Sequence, residues 1–415
     1  MQIPARVLYS WDNPPSGGTY NPMVVRGLPM PSTLAKGIHP LKRTLLSVLV
    51  LSVVLAGPSC RSGPAKEGLF RGEGQHILPE SRLVELTCRV TVRDIPEETK
   101  EVRLWVPFPV ASRYQRLIEP SIQSPASYRP MVRYDARYGT AMLFVSAEAP
   151  LPKTFDVEYV LHVQRRRIDD AGMKPGPVEP DNVIRQHLAA DLALPEDVSL
   201  PELTTIVADV APPDNDTFSR AHAIYDYVMN TLEPDNTVFV RDTRAVEVTE
   251  GAAPFDPDVG TVVTTTGPTG RSVGEILSSR RGNAFDYALL TVVLMRSAGI
   301  PARIESGVLL GEDKTPDRTE VVGRHAWVRF HVPGLGWSVC DPYLAELYPE
   351  LTAYLFRGAC SNRVQLGAGP APALDPEPAS GAPTVLGDAL AEADDKPVAV
   401  ETHLFFRDAA GGPSR

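Results

Sequence analysis

Between Val273 and Asp341 the chain spells one apolar helix followed by three strands, and that succession leaves few folds open. Residues 273–303 read VGEILSSRRGNAFDYALLTVVLMRSAGIPAR, with Arg271 and Ser272 just ahead of them. Gly282 supplies a tight turn and Asn283 is a good N-cap, so a helix is predicted from about Ala284 to Ala298. Gly299 and Pro301 stop it. A strand is predicted from Ile304 to Leu310; a second, HAWVRFHV, begins at His325; a third, WSVCD, ends at Asp341. One helix N-terminus followed by strands that offer a His and an Asp is a Cys-His-Asp type of layout.

Ahead of this segment the pattern changes from helical to strictly alternating. Val84, Leu86, Cys88, Val90 and Val92 recur at every second residue, as do Val102, Leu104 and Val106, and Phe155, Val157, Tyr159, Leu161 and Val163. Such alternation predicts half-buried strands. With Met142 to Val145 between them, residues 81–167 are expected to form a small β-sandwich, Cys88 lying inert on its apolar side. The fold class is therefore α+β: an N-terminal β-sandwich, then a core in which a central helix packs on an antiparallel sheet.

Residues 168–218 are rich in Pro and Asp, carry two weak helical pieces and read as a connector. A helix is predicted to start near Asp216 or Thr217, because Ala221, Ile224, Tyr225, Val228 and Leu232 fall on one stripe. Residues 241–272 form a Gly/Thr/Pro loop too long for a mere connection. A second Ala/Pro-rich loop is expected over 366–390, and a last strand at Val398 to Phe406 closes the second domain, assigned to 219–408 with 409–415 as a tail.

Composition narrows the functions. The 41 prolines in 415 residues fit turn-rich β structure with irregular linkers. A net charge of -10 provides no basic field for a nucleic-acid backbone, so no nucleic-acid partner is expected. The four cysteines, at 60, 88, 340 and 360, contain no C-x-x-C pair, which removes a zinc ribbon and a thioredoxin-like redox site. His325 and His331 share a strand face, yet no H-E-x-x-H helix accompanies them. No metal is expected. Neither is a cofactor, since no glycine-rich phosphate loop follows a strand.

The N-terminal region reads as an export signal. Lys42 and Arg43 precede an apolar run from Leu45 to Ala56, too short to span a bilayer but of signal-core length. Residues 1–59 are accordingly an upstream extension and signal peptide, with Met30 as an alternative start, and 60–80 a tether that buries too little to order itself. Cys60 follows Leu55, Ala56, Gly57, Pro58 and Ser59, which resembles the lipobox of bacterial lipoproteins, although Gly57 stands where a Leu-like residue is wanted. Cys60 is thus a candidate lipidation site, and the periplasm or a lipid-anchored position on the membrane is the expected location.

The motifs RRGNAFD, RSAGIPAR, HAW and GWSVCD, in that order, resemble the transglutaminase-like superfamily, whose fold is papain-like. The resemblance covers about residues 219–365 and extends more loosely to VRLWVPFP in the preceding β-domain. It implies that His325 and Asp341 are the catalytic histidine and aspartate, that Gly282, Asn283 and Trp327 help form the site, and that the nucleophile's place is held by Ala284. Alanine has no atom that can attack. Asp286 is expected to be structural, Ser278 and Ser279 lack a placement that would activate them, and Cys340 is expected either to pack in the core or to pair with Cys360.

These residues are expected to converge in space. The leading expectation is an exported pseudoenzyme that binds a peptide or protein ligand in an inherited cleft. The alternatives are a cysteine-type amide hydrolase or acyl transferase carrying an inactivating Cys-to-Ala change at 284, and a purely structural envelope protein.

Overall fold

The computed structural model describes residues 80–169, 184–185, 187–188, 200–235, 238–240, 244–246, 255–256, 261–262, 271–310, 318–321, 324–369, 372–381, 383 and 386–409. The signal segment, nearly all of the tether, Cys60, most of the 241–272 loop and the tail beyond 409 lie outside the described residues.

Six strands open the fold: β1 (Ser81–Val92), β2 (Glu101–Pro107), β3 (Gln115–Gln123), β4 (Arg129–Tyr134), β5 (Ala141–Glu148) and β6 (Phe155–Arg166). β1, β6 and β3 lie side by side in one sheet, and β2, β5 and β4 in another. The long β1–β6 ladder runs antiparallel from Ser81 opposite Arg166 to Val92 opposite Phe155. Register is set by alternation: Val84, Leu86, Cys88 and Val90 of β1 share a core with Val102, Leu104 and Val106 of β2 and with Val157, Tyr159 and Leu161 of β6. A one-residue slip would turn that whole set toward solvent.

The helical part comprises α1 (Leu200–Val210), α2 (Thr217–Thr231), α3 (Val273–Ser279), α4 (Ala284–Ser297) and α5 (Pro342–Leu347). A third sheet has the order β9-β8-β7-β10, with β7 (Ala302–Leu309), β8 (His325–Val332), β9 (Gly336–Cys340) and β10 (Arg363–Ala368). α4 is apolar almost all round and is buried from Ala284 to Ala288 and from Leu290 to Arg296. It is a central helix rather than a surface one. Ala326, Val328 and Phe330 of β8 belong to the cluster that surrounds α4, whereas Trp327 joins Ile168, Val339 and Ala359 in another. β8 is therefore buried on both faces, as its unbroken burial pattern shows.

Three assignments differ from expectation, each because partners distant in sequence decide it. First, the sandwich does not end at 167: β11 (Leu390–Ala393) pairs with β2, and β12 (Val400–Asp408) pairs with β1 from Val84 opposite Asp408 to Val92 opposite Val400. The closing strand completes the first domain rather than the second, because β1 has a free edge there and Leu404 and Phe406 fill the sandwich core. Second, residues 168–218 are more than a connector, since Leu203 and Val207 of α1 and then Ala211 are buried in the helical core. Third, β10 continues to Ala368, so the Ala/Pro-rich loop begins later than 366. That loop packs Leu374 and Leu386 on Trp105, Met142 and Phe144, and Trp105 Nε1 donates to the Pro376 carbonyl at 2.9 Å.

Sandwich and third sheet share one core. Val308, Leu310, Val364 and Leu366 contribute to the same cluster as β1 and β6. The apolar face of β10 is thereby committed to the sandwich, and its alternate residues Arg363 and Gln365 are buried on the other side.

Candidate active site

The N-terminus of α4 is fixed by local hydrogen bonds. Asn283 Oδ1 accepts from the Phe285 and Asp286 amides at 2.9 and 3.2 Å, and Asp286 Oδ2 accepts from the Asn283 amide at 2.9 Å. This capping box satisfies three donors that the helix start would otherwise leave open. Arg271 Nη2 donates to the same Asp286 oxygen at 2.5 Å. Asp286 is structural, as its position in the motif suggested.

Gly282 acts differently from the predicted turn. The left-handed residue of the turn is Arg280, at φ 53°, while a β-carbon on Gly282 would lie 2.8 Å from Cβ of Asp286. Glycine is needed there for close approach to the capping box. Ala284, the first residue of α4, is fully buried, and Tyr287 one turn on donates from its hydroxyl to the Leu232 carbonyl at 2.7 Å.

His325 opens β8 and Asp341 follows β9, and the antiparallel pairing of these strands brings the two together. His325 Nε2 lies 2.8 Å from Asp341 Oδ2, with both side chains fully buried. The other carboxylate oxygen, Oδ1, accepts from the Leu344 amide at 3.1 Å, so Asp341 is also the N-cap of α5. Arg363 Nη2 sits 3.1 Å from Asp341 Oδ2. Burial pushes the Asp341 carboxyl up, but His325, Arg363 and the Leu344 amide outweigh it and hold the group below its ordinary value. An ionised Asp341 can only accept, so Nε2 is the donor of this hydrogen bond. Nδ1 is buried and has no hydrogen-bond partner among the described residues.

Aromatic rings link this pair to α4. The His325 ring stacks against Trp327 at 6.0 Å and lies 6.2 Å from Tyr343, whose ring meets that of Tyr287 at 5.3 Å. The indole Nε1 of Trp327 donates to Glu305 Oε2 at 2.9 Å, and the Arg363 guanidinium covers the indole ring at 4.8 Å. Trp327, which stacks on the imidazole, is thus itself held by two buried charges.

Of the sequence candidates, His325 meets both Asp341 and Trp327, while Gly282, Asn283 and Ala284 build the helix start that Tyr287 and Tyr343 connect to it. Cys340, Cys360 and Cys88 are free thiols, so core packing, not a disulfide, accounts for Cys340. Burial and the nearby Asp341 charge push its thiol well above the usual range. Ser279 ends α3, where the helix dipole disfavours an oxyanion. Arg363, Glu305 and Tyr343 were not among the residues the motifs singled out. A signal was present only for Arg363: Arg363, Gln365 and Gly367 alternate with Val364, Leu366 and Ala368, a pattern equally compatible with a solvent-facing side.

Residues 258–342 match the transglutaminase-like superfamily family model. Among solved structures, a candidate cysteine protease from Cytophaga hutchinsonii is similar at 15% identity and a TM-score of 0.47, over 81% of this chain and 94% of that one. The periplasmic domain of TgpA from Pseudomonas aeruginosa, bound to ethylmercury, is 16% identical at a TM-score of 0.31, over 66% of this chain and 98% of that one. A TGase is 13% identical at a TM-score of 0.22, over 50% and 45% of the two chains. No curated protein matches by sequence. The matched span contains the capped helix start at Ala284 and the buried His325–Asp341 pair, so this segment of the chain is a transglutaminase-like domain.

Proposed function

We propose that this chain is an exported transglutaminase-like protein that keeps Cys-His-Asp geometry without its nucleophile, and that it binds a peptide or protein ligand in the cell envelope rather than turning one over. The observation that carries the reading is the pairing of an intact, fully buried His325–Asp341 contact with alanine at the first residue of the capped central helix. Catalysis of acyl transfer by this architecture requires a thiolate at the helix start and a histidine to share its proton. Removing one member of a nucleophile–base unit leaves roughly 10³ to 10⁴ over water in serine-protease systems, far below what amide chemistry needs.

Export follows from the basic pair Lys42 and Arg43, the apolar run Leu45 to Ala56 and the small residues before Cys60. Lipidation of Cys60 would add stable anchoring through its acyl chains. Fractionation with intact-mass measurement tests both. A mature chain starting at Cys60 with added acyl mass is expected, whereas an uncleaved chain in the cytoplasm would overturn the location.

The test of function is turnover. The native chain should release no ammonia from a glutamine peptide and cleave no peptide bond above the buffer rate, while retaining saturable binding to a peptide library. Measurable thiol-dependent turnover by the native chain would refute the reading. The same intact pair supports one second reading, in which Ala284→Cys is enough to recover amide hydrolysis or acyl transfer.

A further inference from the structure

Where the third sheet meets the sandwich, the described side chains carry more positive charge than they neutralise. Arg165 stands at the end of β6, Arg329 on β8 and Arg363 on β10, and all three are buried, at 2%, 7% and 0% exposure. Arg303 of β7 lies beside them at 23% side-chain exposure. Only two carboxylates face this group at close range among the described residues. Glu305 is 3.0 Å from Arg303 and 3.7 Å from Arg329, and Asp341 is 3.1 Å from Arg363 while also holding His325.

Hydrogen bonding is as incomplete as charge balance. Nε and Nη2 of Arg165, Nε and Nη1 of Arg329, Nε of Arg303 and all three nitrogens of Arg363 are buried without a well-aligned hydrogen-bond partner among the described residues. The Asp341 contact to Arg363 is thus an ion pair rather than an aligned fork, and Cys360 and Tyr354 are the other neighbours that raise Arg363. Guanidinium groups cannot shed their proton as an amine can, so such a cluster stays charged. A buried charge without its counter-charge costs several kcal/mol. Burial and the neighbouring Arg363 push Arg165 down to about 10, so even this depressed group remains a cation at neutral pH. Aromatic faces add contacts of a different kind: Arg363 lies over Trp327 at 4.8 Å and Arg329 over Tyr114 at 5.6 Å. These rings meet the guanidinium planes and leave the in-plane N–H forks open.

We infer that Arg165, Arg329 and Arg363 form an internal oxyanion site, taking a small carboxylate or phosphate whose oxygens meet the unpartnered guanidinium forks. Fork geometry matches either oxyanion bidentately. Arg303 marks the approach, being the member of the cluster that solvent reaches. The site adjoins the His325–Asp341 pair through Arg363, but it does not rest on the reading of Ala284.

The test uses the full chain at fixed ionic strength and pH 7, followed by thermal unfolding and calorimetry with inorganic phosphate, acetate and chloride. Phosphate or acetate should raise the midpoint saturably and chloride should not, the preferred anion telling a phosphate source from a carboxylate one. Arg329→Gln should weaken that response at least tenfold. Arg329→Lys, which keeps the charge and loses the fork, should weaken it by less. Calorimetric titration of the native chain is independent of whether the variants fold: absence of saturable binding for both oxyanions overturns the site. So does an Arg329→Gln variant that folds and responds like the native chain.

Discussion

Asp341 bonds in two directions at once: Oδ2 lies 2.8 Å from His325 Nε2, and Oδ1 caps α5 through the Leu344 amide at 3.1 Å. One buried carboxylate therefore holds the imidazole and the start of the helix that carries Tyr343, whose ring touches both His325 and Tyr287. The carboxylate is thus tied to the imidazole, to Arg363 and to the helix start at once.

Asp341→Asn should accordingly destabilise the fold strongly. It removes the charge that faces Arg363 and His325 while both remain buried. Breaking a buried ion pair from one side costs about 3 to 5 kcal/mol. Urea unfolding should show a loss of that size, and a loss under about 1 kcal/mol, the worth of a surface pair, would contradict the role given to Asp341.

Acid should destabilise the protein through Asp341 and Glu305. Burial pushes both carboxyls up, but His325 and Arg363 around the first, and Arg329, Arg303 and Trp327 around the second, bring both below their ordinary values. A carboxyl depressed in the fold contributes stability above its unfolded pKa, near 4, and loses it as pH falls through the lower folded value. The urea midpoint should hold between about pH 5 and 7 and fall below about pH 4. Glu305→Gln should flatten that fall. An unchanged acid slope in the variant would remove Glu305 from the explanation.

Gly282→Ala tests the close approach at the helix start. The added methyl would meet Asp286 Cβ at 2.8 Å, and the capping box would have to shift. Overpacking of this kind costs about 1 to 3 kcal/mol. Asn283→Ala should cost about 1 kcal/mol through the lost cap. Chemical denaturation separates the two, and a neutral Gly282→Ala would mean that the contact with Asp286 does not require glycine.

Local features were readable in the sequence because their causes are local. Asn283 and Asp216 mark helix starts through side-chain bonds to amides two and three residues on, and the alternation in β1 and β6 sets which side is buried. Partner choice was not readable. Nothing in Val400–Asp408 states that it will join β1 across more than three hundred residues rather than the nearer third sheet. The same holds for Arg363, whose burial depends on the sandwich claiming Val364 and Leu366. In the 168–218 stretch, Leu203 and Val207 make too short a stripe to announce a core helix among so many prolines.

If the environment of a thiolate survives around Ala284, timed iodoacetamide labelling of an Ala284→Cys variant will reveal it. Position 284 is as buried as Cys340, so the contrast lies in thiolate character: the helix N-terminus, with His325 as the base, would favour a thiolate at 284, whereas burial and the Asp341 charge push the Cys340 thiol well above its ordinary value. Mass spectrometry should find position 284 alkylated at least about tenfold faster than Cys340 near pH 7, as expected for a pKa lowered by one unit or more, and His325→Ala in the same background should remove most of that advantage. Labelling at 284 no faster than at Cys340, or acceleration indifferent to His325, would contradict a preserved thiolate site.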